Sequence, residues 1–412
     1  MNTISKVFVT SFMPLRQRNL AIYLSGQAIS LVGTWLQVTA QGWLVWELSR
    51  SAAALGIATA LATLPLLVFV PFTGTIADRY DRRKLLISTQ TTAMVLAFIL
   101  AFLVQTHLVR LWHVYLLALI LGVVTALDFP AQQAFIGDLS GLEWVRQAVN
   151  LNAIILQVSR ILGPAIAGTV ITTLGIASSF WLNGLSFAAV IASLVAVRAN
   201  QSRRSTSGRP LRDLLDSLRF VRTQSRLLDL FALVLLSSFF GLGIINIMPA
   251  FASVVLHGGA RELSGLLAAS GGGALVSVVI VIPFLNTLRR AGVALALTAI
   301  WMGAWFAVMS HSTTLVAALL TIFLASIGGP AVTVVAMGLA QIMSPADMRG
   351  RIVGLLIMVG FGIQPIASLW IGYLAQWLGV PLAIMLNGFC LMAGAVLILL
   401  TRRELFQWNA PS

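Results

Sequence analysis

Charge is what this chain has least of. Only 9% of its 412 residues are Asp, Glu, Lys or Arg, against about 25% in ordinary soluble domains. With 59% hydrophobic residues and a mean hydropathy of +0.96, that scarcity excludes a soluble enzyme, a nucleic-acid-binding protein and a disordered chain. It leaves a polytopic membrane protein with lipid as its main solvent. Cysteine is almost as scarce. The single Cys390 sits in an apolar run, so neither an intramolecular disulfide nor a cysteine-based metal site is available. The four histidines, His107, His113, His257 and His311, fall beside loops of one face, which argues against a buried histidine relay. Neither a nucleotide-binding GxxxxGK[ST] loop nor an HExxH cluster occurs. We therefore expect no cofactor, no metal and no enzymatic activity. The first twenty residues lack the pattern of a cleaved signal peptide and read as a cytoplasmic tail.

What is present is a succession of apolar runs, each near the roughly 20 residues that span a bilayer. Twelve are predicted: 20–48, 52–77, 85–106, 111–136, 147–174, 177–197, 228–256, 262–286, 292–310, 313–342, 350–377 and 381–400. The fold class is thus all-α and polytopic, with twelve transmembrane helices in two six-helix bundles. Basic residues outnumber acidic ones 26 to 12. Of the 26, 22 fall in the N-terminal tail, the even-numbered loops and the C-terminal tail. Arg50, Arg110 and Arg261 fall in the other loops, and Arg160 lies inside a span. Lys and Arg gather on the cytoplasmic side, so both termini are expected there, and the net charge of +14 implies no nucleic-acid partner.

The only long polar connector is 198–226. It starts basic and Ser-rich, then places Leu211, Leu214, Leu215, Leu218 and Val221 at helical spacing, as in a helix lying on the membrane surface. It divides the chain into 1–197, a linker 198–226 and 227–412. The two halves echo each other. Leu182-Asn183-Gly184 matches Leu386-Asn387-Gly388, Pro164 matches Pro365, and Pro71-Phe72 matches Pro283-Phe284, all at nearly one offset. Duplicated six-helix units suggest a transporter that rocks one half against the other.

After the second run stands Gly74-Thr75-Ile76-Ala77-Asp78-Arg79-Tyr80-Asp81-Arg82-Arg83-Lys84. Gly74, Asp78, Arg79, Arg82 and Arg83 are spaced so that this loop resembles motif A of the major facilitator superfamily, with Asp81 in place of its usual second glycine. Gly163-Pro164-Ala165-Ile166-Ala167-Gly168 is similar to the helix-packing motif C of that superfamily's antiporters. The segments from Asp128 to Ala134, Asn150 to Pro164 and Arg349 to Gly354 resemble the subfamily that includes the enterobactin exporter and the macrolide efflux proteins. There Gln132 stands where an arginine is usual. The resemblance implies a monomeric transporter of the bacterial cytoplasmic (inner) membrane that exports small amphipathic molecules, siderophores or drugs, in exchange for protons. Lysophospholipid movement between leaflets and a non-transporting sensor on the same fold are the alternatives.

Two charges lie deep in the predicted spans, Asp128 and Arg160, and deep charges mark pathways or partners. Two arrangements are open. In one, which the resemblance favours, Asp128 pairs with Arg82 and joins Asp78 in a gate, leaving Arg160 to attract an anionic substrate group. In the other, Asp128 and Arg160 pair with each other. Glu47, three residues before Arg50, is either half of an interfacial ion pair or a second proton site. Asp229 suits a helix start. Gln37, Gln41, Asn150, Asn152, Asn246 and Gln364 are the uncharged candidates for lining a cavity.

Overall fold

The structure is a computed structural model. It describes residues 13–79, 81–197, 210–285, 287–288, 290–346 and 348–401, without the side chains of 13–14, 70–79, 142 and 210–214. Among these residues there is no strand. In lipid every backbone N–H and C=O must be satisfied within the segment, and a helix does this for any sufficiently long apolar run. Six such helices come first: α1 Arg18–Ser49 and α2 Ala52–Arg79, α3 Arg82–Gln105, then α4 Leu111–Gly141, α5 Glu143–Leu174 and α6 Ile176–Ala196. The connector contains α7, Pro210–Thr223. Six more follow: α8 Ser225–Val254, α9 Ala260–Leu285, α10 Ala291–Met309, α11 Leu315–Met343, α12 Arg349–Leu378 and α13 Val380–Thr401. Eleven of these are long and apolar enough to cross a membrane, so the chain is a multi-pass membrane protein. The other long one, α1, has 32 residues. Gln27, Gln37 and Gln41 dilute its apolar character.

Sharp breaks separate helices that hydropathy alone runs together. Gly175 and Gly379 take φ of +82° and +85°, a region open to glycine at little cost. They end α5 and α12 at equivalent points, 204 residues apart, the same offset as Asn183 and Asn387. The duplication also shows in packing. Gly184 of α6 lies directly on the Phe98 ring of α3. In the second half, Gly388 of α13 and Gly303 of α10 meet through bare backbone, each with the other's carbonyl 2.6 Å from where a Cβ would stand.

Packing groups the chain into two compact units. One holds the residues up to Gln41 with Val68–Ser207, the other Gly42–Leu67 with Gly208 onward. The grouping departs from a simple division at the linker because residues 42–67 pack with the second half. Core residues of the first unit include Leu20, Tyr23, Leu86, Phe135, Ile136 and Leu194, with the Tyr23 and Phe135 rings edge to face at 5.2 Å. In the second unit, the start of α2 lies against α12. Gly56 and Gly372 cross with almost no side chain between them, and a Cβ on Gly372 would stand 3.0 Å from the Gly56 Cα. The Gln376 side chain of α12 caps α2 from outside, accepting from Ala52 N at 3.1 Å and Ser51 Oγ at 2.9 Å.

Candidate functional site

The turn between α2 and α3 sits next to the ends of α4 and α6. Asp81, the residue that replaces motif A's second glycine, is the N-cap of α3. Its carboxylate accepts from Lys84 N at 3.0 Å, satisfying a donor that the first helical turn leaves open. Arg83 reaches the far end of α6 and donates to the carbonyls of Leu194 at 2.6 Å and Val195 at 2.5 Å. A cation at a helix C-terminus meets unpaired carbonyls and the negative end of the helix dipole. Gly74, Asp78 and Arg79 lie outside the residues whose side chains are described.

Arg82 does not pair with Asp128. Its Nη1 donates to both oxygens of Asp138 at 2.8 Å, in a pair of low exposure on either side. The reason is height. Asp138 lies three residues from the end of α4, level with the start of α3 that carries Arg82, whereas Asp128 is ten residues, about 15 Å, deeper. The position of Asp138 at the end of its apolar run was the available sequence signal. The conspicuous depth of Asp128 obscured it.

Asp128 does not pair with Arg160 either. Its carboxylate is held by α3: Thr89 Oγ1 donates at 2.5 Å, and Gln90 Nε2 reaches both oxygens at 3.1 Å. Thr89 and Gln90 are themselves buried. No ion pair to Asp128 exists among the described residues. One turn further along α4, Gln132 is buried and within hydrogen-bonding reach of Tyr23. Where the subfamily resemblance puts a cation, this helix face has a neutral amide. The result is a carboxylate inside a membrane span with three neutral hydrogen-bond contacts and, among the described residues, no counter-charge. Such a group can hold a proton or give it up without breaking a salt bridge.

Arg160 sits on the face of α5 that meets α1. Three residues on, Gly163 allows close approach. A Cβ there would stand 2.9 Å from Leu36 N and from Val32 O, and Ala167 is buried against Leu36. Pro164 lies inside α5, which runs on through it, and the carbonyl of Gly168 accepts from Thr172 Oγ1 at 2.8 Å. The Arg160 guanidinium rests over the Trp35 ring at 5.0 Å from its centroid, a cation–π contact.

The uncharged candidates divide by role. Gln37 is buried and accepts from Asn183 Nδ2 at 2.7 Å, and Asn183 in turn is bonded to Ser186. This is a bolt between α1 and α6. Asn246 donates to Ser368 Oγ at 2.8 Å, and Ser368 donates to the carbonyl of Gln364, tying α8 to α12. Gln41 is half-buried and Asn150 exposed. Asn152 is buried with an unpartnered Oδ1. Glu47 accepts from the Trp43 indole at 2.6 Å and forms no pair with Arg50. The Arg50 backbone turns left-handed at φ +47°, which directs its side chain to Ser253 Oγ at 3.4 Å. Asp229 is buried one turn into α8.

The comparisons with known proteins agree with one another. The family model described as transmembrane secretion effector matches residues 9–411. YfiS, an MFS-type transporter of Bacillus subtilis, is 26% identical, with 94% of each chain covered. The enterobactin exporter EntS of Citrobacter koseri is 24% identical over 95% of this chain and 92% of its own. The multidrug efflux pump Tap of Mycolicibacterium fortuitum is 25% identical over 92% and 95%. Among solved structures, the nucleoside transporter NupG superposes with a TM-score of 0.76 at 12% identity, over 95% of this chain and 100% of that one. At that identity the likeness speaks to the fold.

Proposed function

The chain belongs to the transmembrane secretion effector family of the major facilitator superfamily, and from that premise we propose that it exports small amphipathic molecules in exchange for protons. Both termini are cytoplasmic in this reading, as the 22 basic residues of one face require, and the membrane is the bacterial inner membrane. Asp128 carries the coupling proton. The observation behind this assignment is its set of partners: Thr89 and Gln90 hold the carboxylate, and no cation among the described residues competes with a proton for it. A charge at mid-membrane costs roughly 2.5–3.5 kcal/mol on insertion scales, so protonation removes a standing penalty each time the helices move. The Arg82–Asp138 pair and the Arg83 cap are the fastenings of the cytoplasmic side. In this reading the Gly56–Gly372 crossing and the Gln376 cap are the fastenings of the external side.

Export is tested in inside-out vesicles from respiring bacteria that produce the chain, with a panel of fluorescent amphipathic drugs. Vesicles accumulate at least one compound, and a protonophore abolishes the accumulation. Asp128→Asn loses the accumulation but still equilibrates the same compound down its own gradient. Accumulation untouched by the protonophore would contradict proton coupling.

A further inference from the structure

Arg160 lies on α5, against the Trp35 ring of α1. Its guanidinium carries five donors, yet it makes no hydrogen bond and no ion pair with any described residue. Its guanidinium lies over the Trp35 ring, 5.0 Å from the centroid. A cation in the hydrocarbon region without a carboxylate is costly, and such residues face a pathway or a partner. The second observation is independent. Gln157 lies three residues before Arg160, on the same helix face, at the spacing that brings side chains within about 5–6 Å. Its Oε1 is shut off from solvent and has no hydrogen-bond partner. A buried acceptor left open costs about 1–3 kcal/mol. Gln157 accepts and Arg160 donates, yet neither satisfies the other.

Resting on the export reading above, we propose that Arg160, Gln157 and Trp35 form a substrate subsite for an anion that bears a hydrogen-bond donor beside its charge, as a hydroxycarboxylate does. The guanidinium takes the carboxylate through paired N–H donors. The Gln157 oxygen accepts from the neighbouring hydroxyl. The Trp35 face holds the guanidinium in place and packs against the apolar part of the ligand.

The test is calorimetric titration of the purified full-length protein in lipid nanodiscs, with empty nanodiscs as the blank and no proton gradient. Three probes differ by one group each: salicylate has both charge and hydroxyl, benzoate only the charge, salicyl alcohol only hydroxyls. The expected order of affinity is salicylate, benzoate, salicyl alcohol. Arg160→Gln weakens salicylate about tenfold or more, the scale of a lost charge-assisted hydrogen bond, while Arg160→Lys retains part of it. Gln157→Leu brings salicylate down to the benzoate level and leaves benzoate unchanged. Equal affinity for all three probes, no binding by any, or wild-type binding by Arg160→Gln overturns the subsite. Because no gradient is applied, a chain that does not couple to protons still shows this binding. Conversely, proton-driven drug accumulation without any preference for the anions leaves the export reading standing and removes the subsite.

Discussion

Asp128 and Asp138 share a helix and a charge but differ in partner, and the partner decides what each carboxylate does. Asp138 is fixed by Arg82, while Asp128 has only neutral donors. The depth of Asp128 was legible in the sequence as an acid inside an apolar run. Its partners were not, because Thr89 and Gln90 are unremarkable residues of another helix. The account predicts that Gln132→Arg, one turn from Asp128, supplies the missing counter-charge. That variant inserts and folds, but proton-driven accumulation falls at least tenfold, because a fixed cation now does what the proton did. Accumulation at the wild-type rate would show that Asp128 is not the coupling group. Asp81 makes a separate prediction. Asp81→Ala removes the N-cap of α3 and costs about 1 kcal/mol, seen as a lower thermal midpoint in detergent, while Asp81→Gly costs only a few tenths.

Helices were the easiest elements to read, since a run of about 20 apolar residues in lipid has little alternative. Their breaks were read too where glycine marks them, at Gly175 and Gly379. What the one-dimensional pattern could not supply was which helix each small residue faces. Gly56 and Gly372 look alike on paper, and only the fold brings them to the same crossing. A leucine at Gly56 has no room beside the Ser368 carbonyl and the Gly372 Cα. Gly56→Leu therefore prevents α2 and α12 from closing, lowers the thermal midpoint and slows flux severalfold. Gly338→Leu is the control, because nothing lies within 4 Å of its Cβ position. Equal behaviour of the two variants would mean that the crossing is not a tight seat.

At the scale of the whole molecule, Asp128 and Arg160 lie deep in spans of the same unit, and neither forms an ion pair with a described residue. If an anion leaves as a proton enters, each cycle moves two positive charges inward. A membrane potential contributes about 2.3 kcal/mol per charge per 100 mV, so the exchange gains about 4.6 kcal/mol from an interior 100 mV negative. Anion export from proteoliposomes is therefore expected to accelerate when a potassium diffusion potential makes the export side's origin negative, with no pH gradient. Indifference to potential would argue for a neutral substrate. The 22 basic residues assigned to one face are the basis of the proposed orientation. They did not forecast that residues 42–67 pack with the second half of the chain, because that depends on glycine contacts far apart in sequence. Whether Asp128 carries the proton is read from infrared difference spectroscopy of the protein in nanodiscs. As pH is raised through the working range, the account predicts loss of a protonated-carboxyl band in the wild type and no such band in Asp128→Asn. The same band titrating unchanged in Asp128→Asn would contradict it.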